Sequence, residues 1–491
     1  MKRILVAILL LISCEMMVWP QALSLEDAIQ TARRGSVSAL EARQAFISTY
    51  WAWRSYKASR LPSVYVYGNL GNYNRSLTLL QNPQDGSMTY TSTHNLQNGI
   101  GLRAVQNIPW TGGTLYVYTD LNRIDQFGAV RGLTWYSQPI TLSYQQPLFS
   151  YNSFKWDSRI APKEYEQGKR QYLEAMEKVT MKTIEVYFGL LLSQQRLEMA
   201  RRGYADSENL CAAARERMKL GTVTRDEYLQ LELRMLSDSL SINDRMVKVR
   251  EAQMALNSHL GLNEQSEAVP VLDDSIPALT LEYSDVLELA LLNSKFSLDQ
   301  EIQLLQAQSS VEKAKAEKGI TMSFNARFGL SNTAPSLAGV YKDPLDQEVF
   351  GLSFSIPILD WGLGKGKVEK ARAAQEVARA QVTQAESDFR REIFTAVGQF
   401  NNQKSQCDIS RRASQIAQER YSLVMERFRR GETTVLELNN ARQEKDNAQE
   451  QYVKDLQTYW ASYYGLRRKT LFDFIEGMEL ELKEDELLDV R

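Results

Sequence analysis

The chain has 491 residues and a formal net charge of −2, a balance that gives no sign of a nucleic-acid partner. That length would hold two or three ordinary domains. With two histidines, His94 and His259, far apart in sequence, and no zinc-like Cys/His spacing or nucleophile elbow, metal and nucleophile chemistry are not indicated and no cofactor is expected.

Lys2 and Arg3 precede an uninterrupted apolar run, residues 4–12. A bilayer needs about 20 residues of helix, so this run reads as a secretory signal. Two processing routes are open. Leu11-Ile12-Ser13-Cys14 resembles a bacterial lipobox, which would make Cys14 an acylated first residue. Cleavage could instead follow Ala22, although Pro20 suits that site poorly. No later stretch is apolar enough for a membrane helix.

Residues 25–34 are expected to form a short helix, broken at Gly35-Ser36, and residues 37–60 a second one. Strand-like segments follow. Residues 64–73 place Tyr65, Tyr67 and Tyr73 on one face, and residues 100–106 give a weaker strand signal. Leu115, Val117, Thr119 and Leu121 alternate with Tyr116, Tyr118, Asp120 and Asn122, and Ile140, Leu142 and Tyr144 with Thr141, Ser143 and Gln145. Residues 81–95 are turn-rich and polar and read as a surface loop containing His94. Segments of about ten residues with this alternation fit an outer-membrane barrel, and the edge of a soluble sandwich would look similar. Residues 162–219 then read as one helix of about 87 Å, and residues 224–259 as a returning arm of about 54 Å.

The pattern then repeats. Leu142-Ser143-Tyr144-Gln145-Gln146-Pro147-Leu148-Phe149 answers Leu352-Ser353-Phe354-Ser355-Ile356-Pro357-Ile358-Leu359, and Glu216-Arg217-Met218-Lys219-Leu220-Gly221 answers Glu426-Arg427-Phe428-Arg429-Arg430-Gly431. The spacing from Pro147 to Gly221 equals that from Pro357 to Gly431. Upstream, Leu23-Ser24-Leu25-Glu26 answers Leu279-Thr280-Leu281-Glu282. The chain is therefore divided into a signal (1–22), a first repeat (23–265), a second repeat (266–471) and an acidic tail (472–491), whose residues 476–491 are expected to be a solvated helix or frayed end. The second repeat has helices at 283–293 and 295–318, strands around Phe324 to Ser331 and Leu352 to Pro357, and a polar loop at 332–346. Four to six strands cannot close a membrane barrel, whose smallest form has about eight, so other subunits would complete it.

Val382, Ala385, Phe389, Ile393, Ala396 and Phe400 form one helical apolar stripe. Cys211 and Cys407, on long helices, stand at different heights and read as two buried free thiols. Trp361-Gly362-Leu363-Gly364-Lys365-Gly366-Lys367 superficially resembles a phosphate loop, but its glycine spacing is wrong and Val368 stands where Ser or Thr is needed. A strand-to-helix turn is expected instead. At the hairpin turns Gly221 and Gly431 supply permissive backbone. The acids just beyond, Asp226, Glu227, Glu432 and Glu437, would suit helix N-termini; in an oligomer Glu227 and Glu437, at equivalent positions, could also form a ring of charge.

Taken in order and in duplicate, with the tip pattern Gly431-Glu432-Thr433-Thr434-Val435-Leu436-Glu437-Leu438-Asn439-Asn440-Ala441, these features resemble the TolC family of outer-membrane efflux channels. The resemblance covers nearly the whole chain after the signal. It implies a mixed α and β fold, with duplicated helical hairpins forming a periplasmic coiled-coil tunnel and strands completing a twelve-stranded barrel in a homotrimer. It further implies a passive gated duct, not an enzyme, in the Gram-negative outer membrane and its lipid, extending into the periplasm and served by a periplasmic adaptor and an inner-membrane RND or ABC transporter. Gly221, Thr222, Gly431, Glu432 and Thr433 would meet the adaptor. Glu227, Glu437 and Asn440 would line the aperture; Glu437 matches the family's first acidic position, while Asn440 replaces a second acid. The extra strand pair of the first copy also departs from the family's four-strand pattern. An acylated Cys14 would barely reach the membrane past the first two helices, which favours cleavage after Ala22. The competing reading is a secreted or surface helical scaffold or adhesin without a channel.

Overall fold

A computed structural model describes residues 21–81, 86–127, 131–221, 223–263 and 265–488; the signal run, Cys14 and Thr222 lie outside the described residues. The duplication is visible in the helix lengths. α1 (Leu25–Gly35) and α5 (Tyr283–Asn293) have 11 residues each, and α2 (Val37–Ser59) and α6 (Phe296–Lys318) have 23 each. α3 (Ser153–Lys219) has 67 and α7 (Leu363–Arg430) has 68, while α4 (Arg225–Leu260) and α8 (Val435–Thr470) have 36 each. No helix of the described residues is long and apolar enough to cross a membrane.

The expected helix start at Pro162 is corrected: α3 begins at Ser153 and Pro162 lies inside it. Asn152 caps the earlier start by accepting from the Lys155 N–H at 3.2 Å, and a proline removes only one bond from a helix of this length. In the second copy Asp360 makes the corresponding turn, accepting from Gly362 and Gly364 N–H at 2.9 and 2.8 Å. Gly362, at φ 85°, permits it. The glycine-rich stretch is therefore a strand-to-helix turn.

The chain divides into two compact units. The helical unit comprises residues up to Ile47, Gly168–Ser297 and Ala385–Arg491. Its core gathers Ile29, Ile184, Tyr187, Leu256, Ile393, Phe400, Leu456 and Tyr459, all at most 2% exposed. Here the apolar stripe of α7 does what its spacing predicts, with Ile393 and Phe400 fully buried. Strand β1 (Gln21–Leu23) pairs in parallel with β6 (Ala268–Pro270), tying the beginnings of the two repeats. The Tyr187 hydroxyl sits between the carbonyls of Leu23 and Val271 at 2.9 and 2.7 Å.

The tail fits the solvated reading in part: Glu476, Met478, Glu479, Glu481 and Lys483 are exposed and a short helix follows, but the segment is anchored at both ends. β9 (Phe472–Asp473) pairs with β10 (Met478–Glu479), and Leu487 of α9 (Glu484–Leu488) is buried. Asp473 accepts from the Tyr463 hydroxyl and lies 2.7 Å from Arg467 Nη1. These contacts hold the segment despite its acidic composition. Cys211 and Cys407 are free and buried; burial raises the Cys407 thiol to about 11.

The sheet unit comprises Ser48–Gln167 and Leu298–Gln384. Its six antiparallel strands are β2 (Ser63–Gln81), β3 (Met88–Ile108), β4 (Gly113–Gln126), β5 (Gly132–Leu148), β7 (Thr321–Ala334) and β8 (Leu345–Ser355), in the order β2-β3-β4-β5-β7-β8. All four strands of the first copy join the two of the second. The expected loop at 81–95 is largely strand, and His94 lies in β3 against Tyr73 at 2.8 Å rather than in an exposed loop. Polar side chains obscured its alternation. The 332–346 segment is likewise shorter as a loop, since β7 runs to Ala334 and Val340 is fully buried in a 3-10 turn.

Candidate functional site: the helical hairpin tips

Both tips lie in the helical unit and are built by local capping. Gly221 has φ 74° and donates to the Met218 carbonyl at 3.1 Å; Gly431 has φ 81° and donates to Phe428 at 3.0 Å. A side chain would strain either position, since these angles lie in the left-handed region. Beyond Gly221, Thr224 accepts from the Glu227 N–H at 3.2 Å while the Glu227 carboxylate accepts from the Thr224 N–H at 2.9 Å. This is a reciprocal capping box. Beyond Gly431, Thr434 accepts from the Glu437 N–H at 3.2 Å, but the Glu437 carboxylate takes the Thr433 hydroxyl instead and lies 3.6 Å from Arg427 Nη1.

The acids expected at equivalent positions therefore differ in their bonds. Glu227 serves its own helix start. Glu437, with its side chain 41% exposed, shares its charge with a hydroxyl and a cation. Glu432 lies 3.6 Å from Arg430, and Asn440 is exposed. Asp226 accepts from Gln230 at 2.7 Å, so it supports the first turn of α4.

The two tips are joined to one another. Arg217, near the end of α3, donates to the carbonyls of Phe428 and Arg429 at the end of α7. A cation on carbonyls left unpaired at a helix C-terminus is favoured by the helix dipole. Leu210 and Phe428 pack into both small apolar clusters of the tips. Between the tips is a cavity of about 180 Å³, with Leu210, Ala214, Arg217, Glu227, Phe428 and Val435 in its wall.

Behind the tips lies a network that the sequence reading missed. Arg442 on α8 reaches Asp238 on α4 through Nη1 at 2.9 Å and Nη2 at 3.3 Å. Ser207 on α3 donates to the same carboxylate at 2.7 Å. Arg442 and Asp238 are 8% and 6% exposed, so this is a buried, hydrogen-bonded ion pair. Gly203 makes room: a Cβ there would lie 1.6 Å from Arg442 Nη2. Nearby, Tyr421 donates to Asp206 at 2.8 Å, and burial and that carboxylate hold its phenol well above the ordinary value. A glycine inside a helix is the one sequence signal that could have flagged this site. Among the described residues no group of His, Cys, Asp and Glu side chains could hold a metal ion.

The duplicated hairpins and the six-stranded sheet define a class of fold, that of an outer-membrane channel protomer. The chain is similar to the CmeC outer membrane channel of Campylobacter jejuni, with TM-score 0.65 and 16% identity over 94% of this chain and 88% of that one. It is similar to the outer membrane protein VceC of Vibrio cholerae, with TM-score 0.63 and 15% identity over 93% and 97%. The open state of the Neisseria gonorrhoeae MtrE outer membrane channel gives 0.58 and 16% over 93% and 91%. No curated protein matches the chain. Residues 286–469 match the model of the outer membrane efflux protein family. The match falls within the second repeat, and it agrees with the resemblance drawn from the duplication and the tip pattern.

Proposed function

We propose that this chain is the channel subunit of an efflux system, a passive gated duct through the outer membrane and not an enzyme. The observation that carries it is the sheet: six strands with one apolar and one polar face and two open edges, in a chain whose long helical hairpin occurs twice. Open strand edges are not tolerated in lipid, so copies of the chain must complete one another. The reading comprises a homotrimer, with Gly221, Thr222, Gly431, Glu432 and Thr433 offered to a periplasmic adaptor and Glu437 and Asn440 at the aperture, beside Glu227. An inner-membrane transporter of the RND or ABC type would supply the energy. Nothing observed favours the adhesin alternative.

The parallel pairing of Gln21↔Ala268 and Ala22↔Val269 bears on processing. Cleavage after Ala22 would remove two of the three residues of β1. The pairing therefore supports processing upstream, at the lipobox before Cys14.

The test is the mass of the detergent-extracted protein by light scattering, combined with current recordings in planar bilayers. Three copies and stepwise conductance are expected. A non-conducting, water-soluble monomer would overturn the reading.

A further inference from the structure

Each strand of the sheet turns one set of side chains to one face. On one face Val64 and Val66 of β2 stand beside Ala104 and Leu102 of β3, and these beside Val117 and Thr119 of β4. Val117 stands beside Leu142 of β5, and Leu142 beside Phe328 of β7; on the same face Phe324 of β7 meets Leu352 of β8. Val66, Leu102, Val117, Leu142, Phe328 and Leu352 are all exposed. The apolar face thus extends over all six strands, and on β8 it lies at the level of Leu352, since Phe328 itself stands opposite the exposed Glu348.

The opposite face is polar across the same strands. Tyr65 faces Arg103, Arg103 faces Tyr118, and Tyr118 faces Thr141; Ser143 faces Arg327. The first hairpin is wired into it. The Tyr67 hydroxyl on β2 donates to Asp120 on β4, across β3, where Gly101 leaves space that a Cβ would fill at 2.4 Å from Asp120. The Arg103 guanidinium lies 4.5 Å from the Tyr67 ring and 5.8 Å from the Tyr118 ring.

A hairpin standing in water beside the barrel has no use for an apolar face continuous with the lipid face. Alternation of a lipid face with a polar lumen face is the mark of a strand in the wall. The edge strands are β2 and β8, and because the meander has six strands they run antiparallel to each other. The β2 edge of one copy can therefore receive the β8 edge of the next in the same antiparallel sense, and the ring closes without a parallel seam.

We infer that all six strands of each copy lie in the barrel wall, with β2 pairing to β8 of a second copy. This rests on the channel reading. Three copies of a six-stranded sheet give eighteen strands, not the twelve that the family resemblance implies. Barrel diameter grows roughly in proportion to strand number, so the lumen would be wider by about half.

The test is electron cryomicroscopy of the full chain in lipid nanodiscs, counting strands per copy in the barrel cross-section. Six per copy is expected, and four per copy overturns the inference whatever the number of copies. The copy number is read separately and tests only the trimer. A second measurement needs no image. In a Cys211→Ser, Cys407→Ser background, Val66→Cys and Leu102→Cys in proteoliposomes should react with a membrane-impermeant maleimide at least about tenfold more slowly than Asn69→Cys on the opposite face. Equal rates on both faces would place the first hairpin in water and overturn the inference.

Discussion

Arg442 on α8 holds Asp238 on α4 through both of its terminal nitrogens, and so binds the second helical hairpin to the first. The pair is buried, and removal of one partner leaves the other with only a weaker counter-charge: Arg234 stands 3.3 Å from Asp238, and Asp446 stands 3.9 Å from Arg442. The loss should therefore lie toward the low end of the roughly 3–5 kcal/mol that breaking a buried pair costs. Arg442→Met and Asp238→Leu should each lower the unfolding temperature of the detergent-solubilised protein. The double variant Arg442→Met/Asp238→Leu should lose less than the sum of the two, because the attraction between the pair is lost in each single variant but only once in the double one. Fully additive losses would show that the two residues are not coupled.

Gly203 gives a sharper form of the same argument. Glycine to alanine inside a helix ordinarily stabilises by about 1 kcal/mol. Here the new methyl would fall on the Arg442 guanidinium, and overpacking of this kind costs roughly 1–3 kcal/mol. Gly203→Ala should therefore destabilise the protein with Arg442 present and stabilise it in an Arg442→Ala background. The sign reversal is readable from thermal denaturation of the four proteins.

These two residues also show what a single sequence conceals. Helix ends were legible because their signals are local: Thr224 and Glu227 cap within four residues, and Gly221 and Gly431 mark the turns. The repeat was legible because spacing survives where identity does not. Asp238 and Arg442 are 204 positions apart, and nothing in a charged residue on a wet-looking helix announces a distant partner. In β3, Thr93, His94 and Asn95 hid a strand, because both of its faces are polar there. The four strands of the first copy could be suspected, but their single apolar face emerged only with the register. At the tips, Glu227 and Glu437 were legible as positions, while the difference in their bonds depends on whether Thr433 or Thr224 takes the carboxylate.

That difference separates the two acids experimentally. Glu227 closes a capping box, and glutamine can make the same bonds. Glu227→Gln should leave stability nearly unchanged. Glu437→Gln should reduce cation preference in single-channel recordings, since it removes an exposed charge at the proposed aperture. Unchanged currents in Glu437→Gln would reject its role there.

His259, near the end of α4, lies 2.9 Å from the Thr183 hydroxyl, and burial pulls its pKa below the ordinary 6.5. The folded chain keeps this ring neutral at a pH where the unfolded chain has already bound a proton. Acidification therefore favours the unfolded state. Its contribution is present above about pH 6.5 and is lost as pH falls through the lower folded value. Unfolding temperatures measured from pH 7.5 to 5 should fall less steeply in His259→Gln than in the parent. Parallel profiles would show that another group sets the slope.

The N-terminus offers the last discrimination. Gln21, Ala22 and Leu23 pair with Ala268, Val269 and Pro270, and the Leu23 carbonyl also receives the Val271 N–H at 3.1 Å. A mature chain beginning at Leu23 would keep only one of these three pairings. A chain beginning at Cys14 keeps all of them and carries a lipid at its first residue. Mass spectrometry of the protein purified from membranes should therefore find an acylated Cys14 at the N-terminus, and Cys14→Ala should block that processing. A first residue of Leu23 with no lipid would show that β1 is dispensable and that the signal is cut after Ala22.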